Sequence, residues 1–372
     1  MAKICIDARM INNSGIGVYI KNYVEYMLKN KVFDEIVLLG KERELEKIFN
    51  SYPNWSCQEI DIPIYSIKEQ FAFPFLIPTC DIFWSPHYNI PLLPIKAKKR
   101  VVTLPDTAHL VLTDLFDFGI IKQLYAKVVF KAATLLSDTI TTISMFSKNE
   151  IVRYTGINPA KITAIHLGID TNLFRKINNC TLTKTTEKYK LPQNFILFVG
   201  NIKPHKNLTT LLDAFLLAKP KIGNYQLVIL GKKEGFITGD SKIFEKINKN
   251  SILEENVHFT GYVAEEDLPS IYNLATLFVF PSIYEGFGFP PLEAMACGCP
   301  VVCSNSASLP EVCGDAVLYV DALNPSEMAL GIQETLSNDI LRRELTAKGF
   351  NKAKQYEWKR SSEQFTDCLK NI

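Results

Sequence analysis

Two stretches of this 372-residue chain carry residue types that can act together on a ligand. The first is Ser282–Val301, SIYEGFGFPPLEAMACGCPV. Gly286 and Gly288 disfavour helix and let the backbone approach a ligand closely, while Pro290 and Pro291 suit the entry to a helix. Glu285 then falls on the loop and Glu293 in or near the first helical turn. A glycine-rich loop feeding a helix N-terminus points unpaired N–H groups and a positive dipole end outward, which suits a phosphate or diphosphate. Carboxylates on either side suit sugar or ribose hydroxyls. The same pattern also describes an ordinary strand–turn–helix connection whose glutamates favour the helix dipole, and residue types alone leave both readings open. The second stretch is Phe195–Leu208, FILFVGNIKPHKNL, where a strand ending at Gly200 leads through Lys203, His205 and Lys206 to a helix opening near Asn207. Cations beside a helix N-terminus are unfavourable for the helix, so Lys206 makes sense there if an anion occupies the space. A solvated lysine pair is the alternative. A second glycine pair, Gly15-x-Gly17, fails as a dinucleotide fingerprint because the third glycine position is Ile20.

These loops need strands and helices to hold them. Candidate strands in the first half are Lys3–Asp7, Glu35–Leu39, Asp81–Ser85, Arg100–Leu104, Thr139–Ser144 and Ile162–His166. In the second half they are Phe195–Gly200, 226–231, Val257–Gly261, Leu277–Pro281, Pro300–Ser304 and Ala316–Val320. Helical patterns lie between them, and continuous apolar strands alternating with helices predict parallel sheets covered on both faces. Two such series imply an α/β chain of two doubly wound, Rossmann-like domains facing a central cleft. The polar segment Arg175–Lys190, RKINNCTLTKTTEKYK, has no apolar period and predicts the junction. The boundaries expected are 1–175, 176–356, and a terminal helix over 357–372 packing back toward the N-terminal domain. Ligands of open parallel sheets sit beyond the carboxyl ends of strands where strand order reverses, so the loops after strands should be the informative ones.

Composition narrows the class. At roughly 150 residues per domain the length gives two or three domains, and 47% hydrophobic with 22% charged residues excludes a disordered or collagenous chain. Forty-one Lys+Arg against 39 Asp+Glu leave +2, so the chain as a whole is no nucleic-acid binder. No window approaches 18 uninterrupted apolar residues, and MAKICIDARM runs into a strand without a signal-peptide core. The nine cysteines are scattered; even Cys297, Cys299 and Cys303 lack the C-x2-C spacing of a zinc site. A cytoplasmic protein is the expectation, with the inner face of the membrane as its alternative place.

YEGFGFPPLEAMACGCPVV with its Glu285-x7-Glu293, VGNIKPHKNL and GYVAEEDL together resemble the retaining family 4 glycosyltransferases of the GT-B fold. The similarity extends through IDARMINNSGIGVYIKN, TTISMFSKNEIVRYTGI, IHLGIDTNLF and YEWKRSSEQF, and looks nearest to bacterial mannosyl- and rhamnosyltransferase-like members that build surface polysaccharides and lipopolysaccharide. The resemblance implies an N-terminal acceptor domain and a C-terminal domain for a nucleotide-sugar donor. It implies that Glu285 contacts the transferred sugar and Glu293 holds ribose hydroxyls. Gly286, Phe287, Gly288 and Phe289 would line sugar and phosphates, Gly200 and Asn201 would belong to the phosphate loop, and Lys206 with Lys203 would neutralise the leaving diphosphate. Tyr262 and Val263 would flank the nucleobase, while Gly15 and Gly17 would close over the diphosphate from an N-terminal loop. Family members need no divalent metal and no other cofactor, and no Asp-x-Asp pair stands here to bridge one. Retention without a carboxylate nucleophile implies front-side attack with the leaving phosphate as base.

There are departures from the family pattern. Asn201 replaces the Arg that often follows the phosphate-loop glycine, which Lys203 or His205 would offset. The family's His-Asp after the fourth strand reads Pro105-Asp106 here, so His109 or His87 is expected to substitute on the acceptor side, with Asp106 orienting an acceptor hydroxyl. GDP-mannose is the first expectation for the donor, ahead of dTDP-rhamnose and UDP-sugars. A glycan or polyprenyl-linked saccharide is the expected acceptor. Lys96, Lys98, Lys99 and Arg100, followed by Lys122, Lys127 and Lys131 in an apolar helix, suggest contact with anionic lipid. The competing classes are a glycosidase or phosphorylase using Glu285 and Glu293 as a carboxylate pair, and a non-catalytic sugar-nucleotide-binding protein.

Overall fold

Runs such as FILFV and LFVF have no polar face to leave in water, and they become the centre of a parallel sheet. In a computed structural model, residues 2–112, 120–230 and 241–372 are described. The chain divides into two units, Met1–Gly168 with Trp358–Ile372, and Ile169–Glu357.

The first unit holds β1 (Lys3–Asp7), β2 (Glu35–Gly40), β3 (Trp55–Glu59), β4 (Cys80–Ser85), β5 (Ala97–Thr103), β6 (Thr139–Thr142) and β7 (Ile162–Ala164). They lie in the order β3-β2-β1-β4-β5-β6-β7, all neighbours parallel. Strand order reverses between β1 and β4, where Ile4 sits opposite both Ile36 and Ile82. β3 escapes a reading for apolar runs because WSCQE is an edge strand whose side chains are largely in water. The helix Ser14–Lys29 starts immediately after the first loop, so Gly15 and Gly17 belong to its first turn and not to a loop. Gly17 is needed for packing: a Cβ there would stand 2.2 Å from the Ile11 carbonyl oxygen.

The second unit holds β8 (Phe195–Val199), β9 (Gln226–Leu230), β10 (Val257–Phe259), β11 (Leu277–Phe280), β12 (Val301–Ser304) and β13 (Leu318–Val320), in the order β10-β9-β8-β11-β12-β13. All neighbours are again parallel. Its core joins Phe198, Leu211, Phe215, Ile229, Val279, Met328 and Ile332 under the helices Leu208–Ile222 and Pro325–Ser337. Here strand order reverses between β8 and β11. The polar stretch expected at the junction instead forms the helix Asn179–Tyr189, and the boundary falls earlier, after Gly168. Among the described side chains of that helix only Thr185 and Tyr189 are buried, so no apolar period announces it. It is fixed by polar groups: Lys188 Nζ and Tyr189 OH reach Asp267 Oδ2 at 2.6 and 2.7 Å.

The terminal helix Trp358–Lys370 buries Ser361, Ser362, Phe365, Thr366 and Leu369, a stripe at helical spacing. Phe365 stacks on Tyr23 with ring centroids 4.4 Å apart and lies 4.6 Å from Trp84. Tyr23 OH and Ser361 Oγ are 2.9 Å apart. The last residues of the chain are thereby part of the first unit. Truncating a buried Phe costs about 3–5 kcal/mol, so Phe365→Ala should lower the melting transition of the first unit by roughly 10 °C. Calorimetry should leave the second unit's transition in place; an unchanged thermogram would show that the terminal helix does not stabilise this unit.

Candidate functional site

The loops leaving β8 and β11 start from adjacent strands at the point where order reverses, so they must run side by side. After β8 the chain makes a 3-10 turn, Pro204–Lys206, before the helix Leu208–Ile222. After β11 it passes through Ser282–Gly288 into the helix Phe289–Ala296, with Pro290 and Pro291 in the first turn. The backbones are tied together: Ile283 N donates to His205 O at 2.9 Å. Lys206 Nζ meets Glu285 Oε1 at 2.6 Å, with both side chains mostly buried. The Lys206 ammonium also lies 5.3 Å from the Phe280 ring centroid.

Asn207 locks this arrangement. It sits at φ +57°, a left-handed conformation that Asn adopts more readily than most residues. Its Nδ2 donates to Pro281 O at 3.1 Å and Ala322 O at 2.6 Å, and its Oδ1 accepts from Thr210 Oγ1 at 2.6 Å. Asn207 thus fastens the lysine turn to the chain just beyond β11 and β13. Ser308 plays the matching part for the other loop, donating to Glu285 O at 2.9 Å and Phe287 O at 2.7 Å. Gly288 has φ +124°, and a Cβ would meet Leu309 at 2.8 Å. A glycine is therefore required where the loop turns into the helix.

Two titratable groups in this site are displaced from their ordinary values. Burial, reinforced by Lys206, pushes the His205 imidazole down to about 4, so it is neutral at pH 7. Burial pushes Glu293 up to about 7, although the Tyr272 hydroxyl, 2.9 Å from its Oε2, favours the carboxylate. Glu293 lies one turn into the helix, half-buried, with its carboxylate held by Tyr272. Lys203 and Asn201 are exposed on the loop before the turn. Tyr262 is 74% exposed after β10 with Val263 half-buried beside it. The structure brings together Gly200, Lys206, Glu285, Gly286–Phe289 and Glu293 at one end of one sheet. Asn207, Ser308 and Tyr272 are the members that motif reading missed. Their roles depend on what they reach, which spacing does not reveal.

In the first unit, the residues expected on the acceptor side follow β4 and β5. His87 is 1% exposed and turned inward: its Nδ1 accepts from Asn89 N at 3.2 Å and its Nε2 faces Asp7 Oδ2 at 3.3 Å. Its ring, expected on the acceptor side, is therefore buried beside Asp7 and Asn89. Arg9 bridges Asp7 and Glu69 at 2.7 and 2.6 Å. Burial works against the Asp7 carboxylate, but Arg9 and His87 hold it well below the usual range. Asp106 Oδ1 accepts from Ala108 N at 2.8 Å and starts the one-turn helix Ala108–Val111. His109 stands on that turn, its ring centroid 5.1 Å from Tyr88.

Two parallel doubly wound sheets, the second with a lysine and two glutamates at its switch point, define a GT-B protein. Residues 183–352 match the family described as Glycosyl transferases group 1, and this segment is a domain of that family. The chain is 35% identical over 233 residues to the O-antigen chain mannosyltransferase B of Escherichia coli, covering 62% of this chain and 60% of that protein. It is 28% identical over 293 residues to the serotype-specific mannosyltransferase WbdA of Escherichia coli, covering 77% of this chain and 33% of that protein. It therefore spans about a third to three fifths of the length of these curated relatives. Its fold superimposes on sucrose-phosphate synthase from Thermosynechococcus elongatus with a TM-score of 0.77 at 18% identity, over 100% of this chain and 99% of that one.

Glu293 makes stability depend on pH in a defined direction. A carboxyl whose folded-state value is about 7, against an ordinary 4.5, binds its proton more tightly when folded. The second unit should therefore lose stability as pH rises from about 4.5 to 7, by on the order of 3 kcal/mol, and level off above. Glu293→Gln keeps the uncharged form and should flatten that profile in urea titrations. A variant with the wild-type slope would show that another group titrates.

Proposed function

We propose that the chain is a retaining glycosyltransferase that moves a hexose from a nucleoside-diphosphate sugar to a glycan or lipid-linked acceptor in surface polysaccharide synthesis. The observation that carries this reading is the Lys206–Glu285 pair at the β8/β11 switch point, beside the start of the helix Phe289–Ala296. Cleaving a glycosyl–phosphate bond builds negative charge on the departing diphosphate. A fixed ammonium and pre-oriented amides stabilise that charge at no cost of reorganisation. In this reading Lys206 binds the diphosphate, Lys203 adds a second cation, Glu285 turns to the sugar, and Glu293 accepts from ribose hydroxyls. Gly200, Asn201 and Gly286–Phe289 line the donor, and Tyr262 with Val263 lies against the base. Gly15 and Gly17, expected to close over the diphosphate, stand in the first turn of the helix Ser14–Lys29, where the Gly17 amide donates to Asn13 O at 2.6 Å. The leaving phosphate serves as base, and the countercharge comes from lysines and amides with no metal. The names of the Escherichia coli relatives, both mannosyltransferases, favour mannose and, by the resemblance, GDP-mannose.

The first unit is proposed to take the acceptor, near Asp106 and His109. No helix among the described residues is long and apolar enough to cross a membrane. Peripheral contact is favoured by the helices Ile67–Leu76 and Ile120–Leu136, which expose Phe71, Phe75, Leu124 and Val128 beside Lys68, Lys127 and Lys131; the Lys122 side chain lies outside the described residues. Co-flotation with anionic but not neutral liposomes at about 0.1 M salt is the expected result, and no flotation removes membrane contact.

Lys206 and Glu285 should respond in opposite ways. Lys206→Ala should weaken nucleoside-diphosphate binding and lower kcat by about 10²-fold. Glu285→Gln should tighten binding of the free diphosphate, because the ammonium loses its competing carboxylate, while turnover falls. Thermal shifts with GDP, UDP and dTDP read both variants and rank the bases, since ligand at 100 Kd stabilises by about 2.7 kcal/mol. Wild-type kinetics in Lys206→Ala would overturn the assignment.

A further inference from the structure

The first unit has its own switch point, between β1 and β4, and a buried charge network stands there with a strained residue at its edge. Tyr65 has φ +61°, a left-handed conformation costly for a bulky side chain. Its backbone is held in place from below. Glu69, completely buried, accepts from Tyr65 N at 2.7 Å with Oε2 and from Arg9 with Oε1 at 2.6 Å. Asn89 Nδ2 donates to the same carboxylate, and Tyr125 OH donates to Asn89 Oδ1 at 2.9 Å. Ser66 caps the following helix by accepting from Glu69 N at 3.1 Å. A capping glutamate ordinarily reaches back to the N-cap amide; here it reaches one residue further, to Tyr65, and is anchored by a buried guanidinium.

All this holds an aromatic ring in water. Tyr65 is 43% exposed, although apolar rings at a strained position gain most by burial. Its ring centroid is 5.6 Å from Tyr88 and 6.2 Å from His87, and Tyr88 is in turn 5.1 Å from His109. Asp106 lies close enough for its charge to act on both tyrosines. One of its oxygens starts the Ala108–Val111 turn by accepting from Ala108 N at 2.8 Å. A part-exposed aromatic ring in the neighbourhood of a carboxylate and an imidazole is complementary to a pyranose. The electron-rich ring face takes the sugar's C–H groups, while the polar neighbours take its hydroxyls.

We propose that Tyr65 is a stacking platform for a hexopyranose unit of the acceptor glycan, presented by the Arg9–Glu69–Asn89 network and flanked by Asp106 and His109. The proposal rests on the glycosyltransferase reading for the word acceptor, but the platform is a feature of the first unit alone. Methyl α-D-mannopyranoside is the probe, titrated by ligand-observed NMR, with a nucleoside-diphosphate thermal shift run in parallel. Tyr65→Phe keeps the ring and should bind the mannoside as wild type does. Tyr65→Gly tolerates the positive φ, so it should fold, and should bind about tenfold more weakly or worse. The nucleotide shift should be the same in all three proteins. Equal mannoside affinity in wild type and Tyr65→Gly, or no mannoside binding by wild type, overturns the platform. A mannoside response of the expected pattern without any nucleotide shift upholds the platform and removes the glycosyltransferase reading instead.

Discussion

An ammonium and a carboxylate held 2.6 Å apart by two different loops are the constraint around which the second unit is organised. Neither loop could hold its charge alone. Lys206 comes from a turn that follows β8, Glu285 from a turn that follows β11, and the two meet because those strands are hydrogen-bonded neighbours where sheet order reverses. The surrounding details serve that meeting. Asn207 spends a left-handed backbone and three side-chain hydrogen bonds to secure one loop, and Ser308 secures the other through two carbonyls. Gly288 lets the second loop descend onto Leu309 and enter its helix. The pair is mostly removed from water but retains a charged partner for each member, so an incoming anion competes with Glu285 for a cation that is already desolvated and in position.

The two units apply one architectural rule with different chemistry. At β8/β11 the rule yields mobile-length charged side chains next to a helix N-terminus, suited to an anion whose charge grows during reaction. At β1/β4 it yields a buried network in which the Arg9 guanidinium faces the Asp7 and Glu69 carboxylates, with His87 beside Asp7. Its effect is on shape, because it fixes the loops that carry Tyr65, Tyr88 and Asn89. A neutral, aromatic surface and a cationic, amide-rich one are what a sugar and a sugar diphosphate respectively require.

Much of this was legible in the sequence, for physical reasons that differ by element. Buried parallel strands are continuous apolar runs, so the strands beginning at Lys3, Phe195 and Leu277 announce themselves. Gly286, Gly288, Pro290 and Pro291 punctuate a loop and helix start, and the position of Glu285 and Glu293 follows from them. What escaped depends on neighbours. β3 is an edge strand with polar exposed residues, and the helix Asn179–Tyr189 is fixed by Asp267, far away in the chain. Gly15 and Gly17 stand within a helix, against their expected loop, and at Gly17 this reflects packing under Ile11 that no spacing encodes. His87 illustrates the general difficulty with lone histidines: its burial against Asp7 and Asn89 depends on neighbours that spacing does not reveal.

The central claim is that the segments Gly200–Asn207 and Glu285–Glu293 together form the cradle of a nucleoside diphosphate. Hydrogen exchange of the intact chain with and without saturating nucleoside diphosphate addresses it directly, since bound phosphate must shield the amides of the loops and helix start. The account predicts slowed exchange in peptides covering both segments at once. Protection confined to other parts of the chain, with these two segments exchanging as in the free protein, would contradict it.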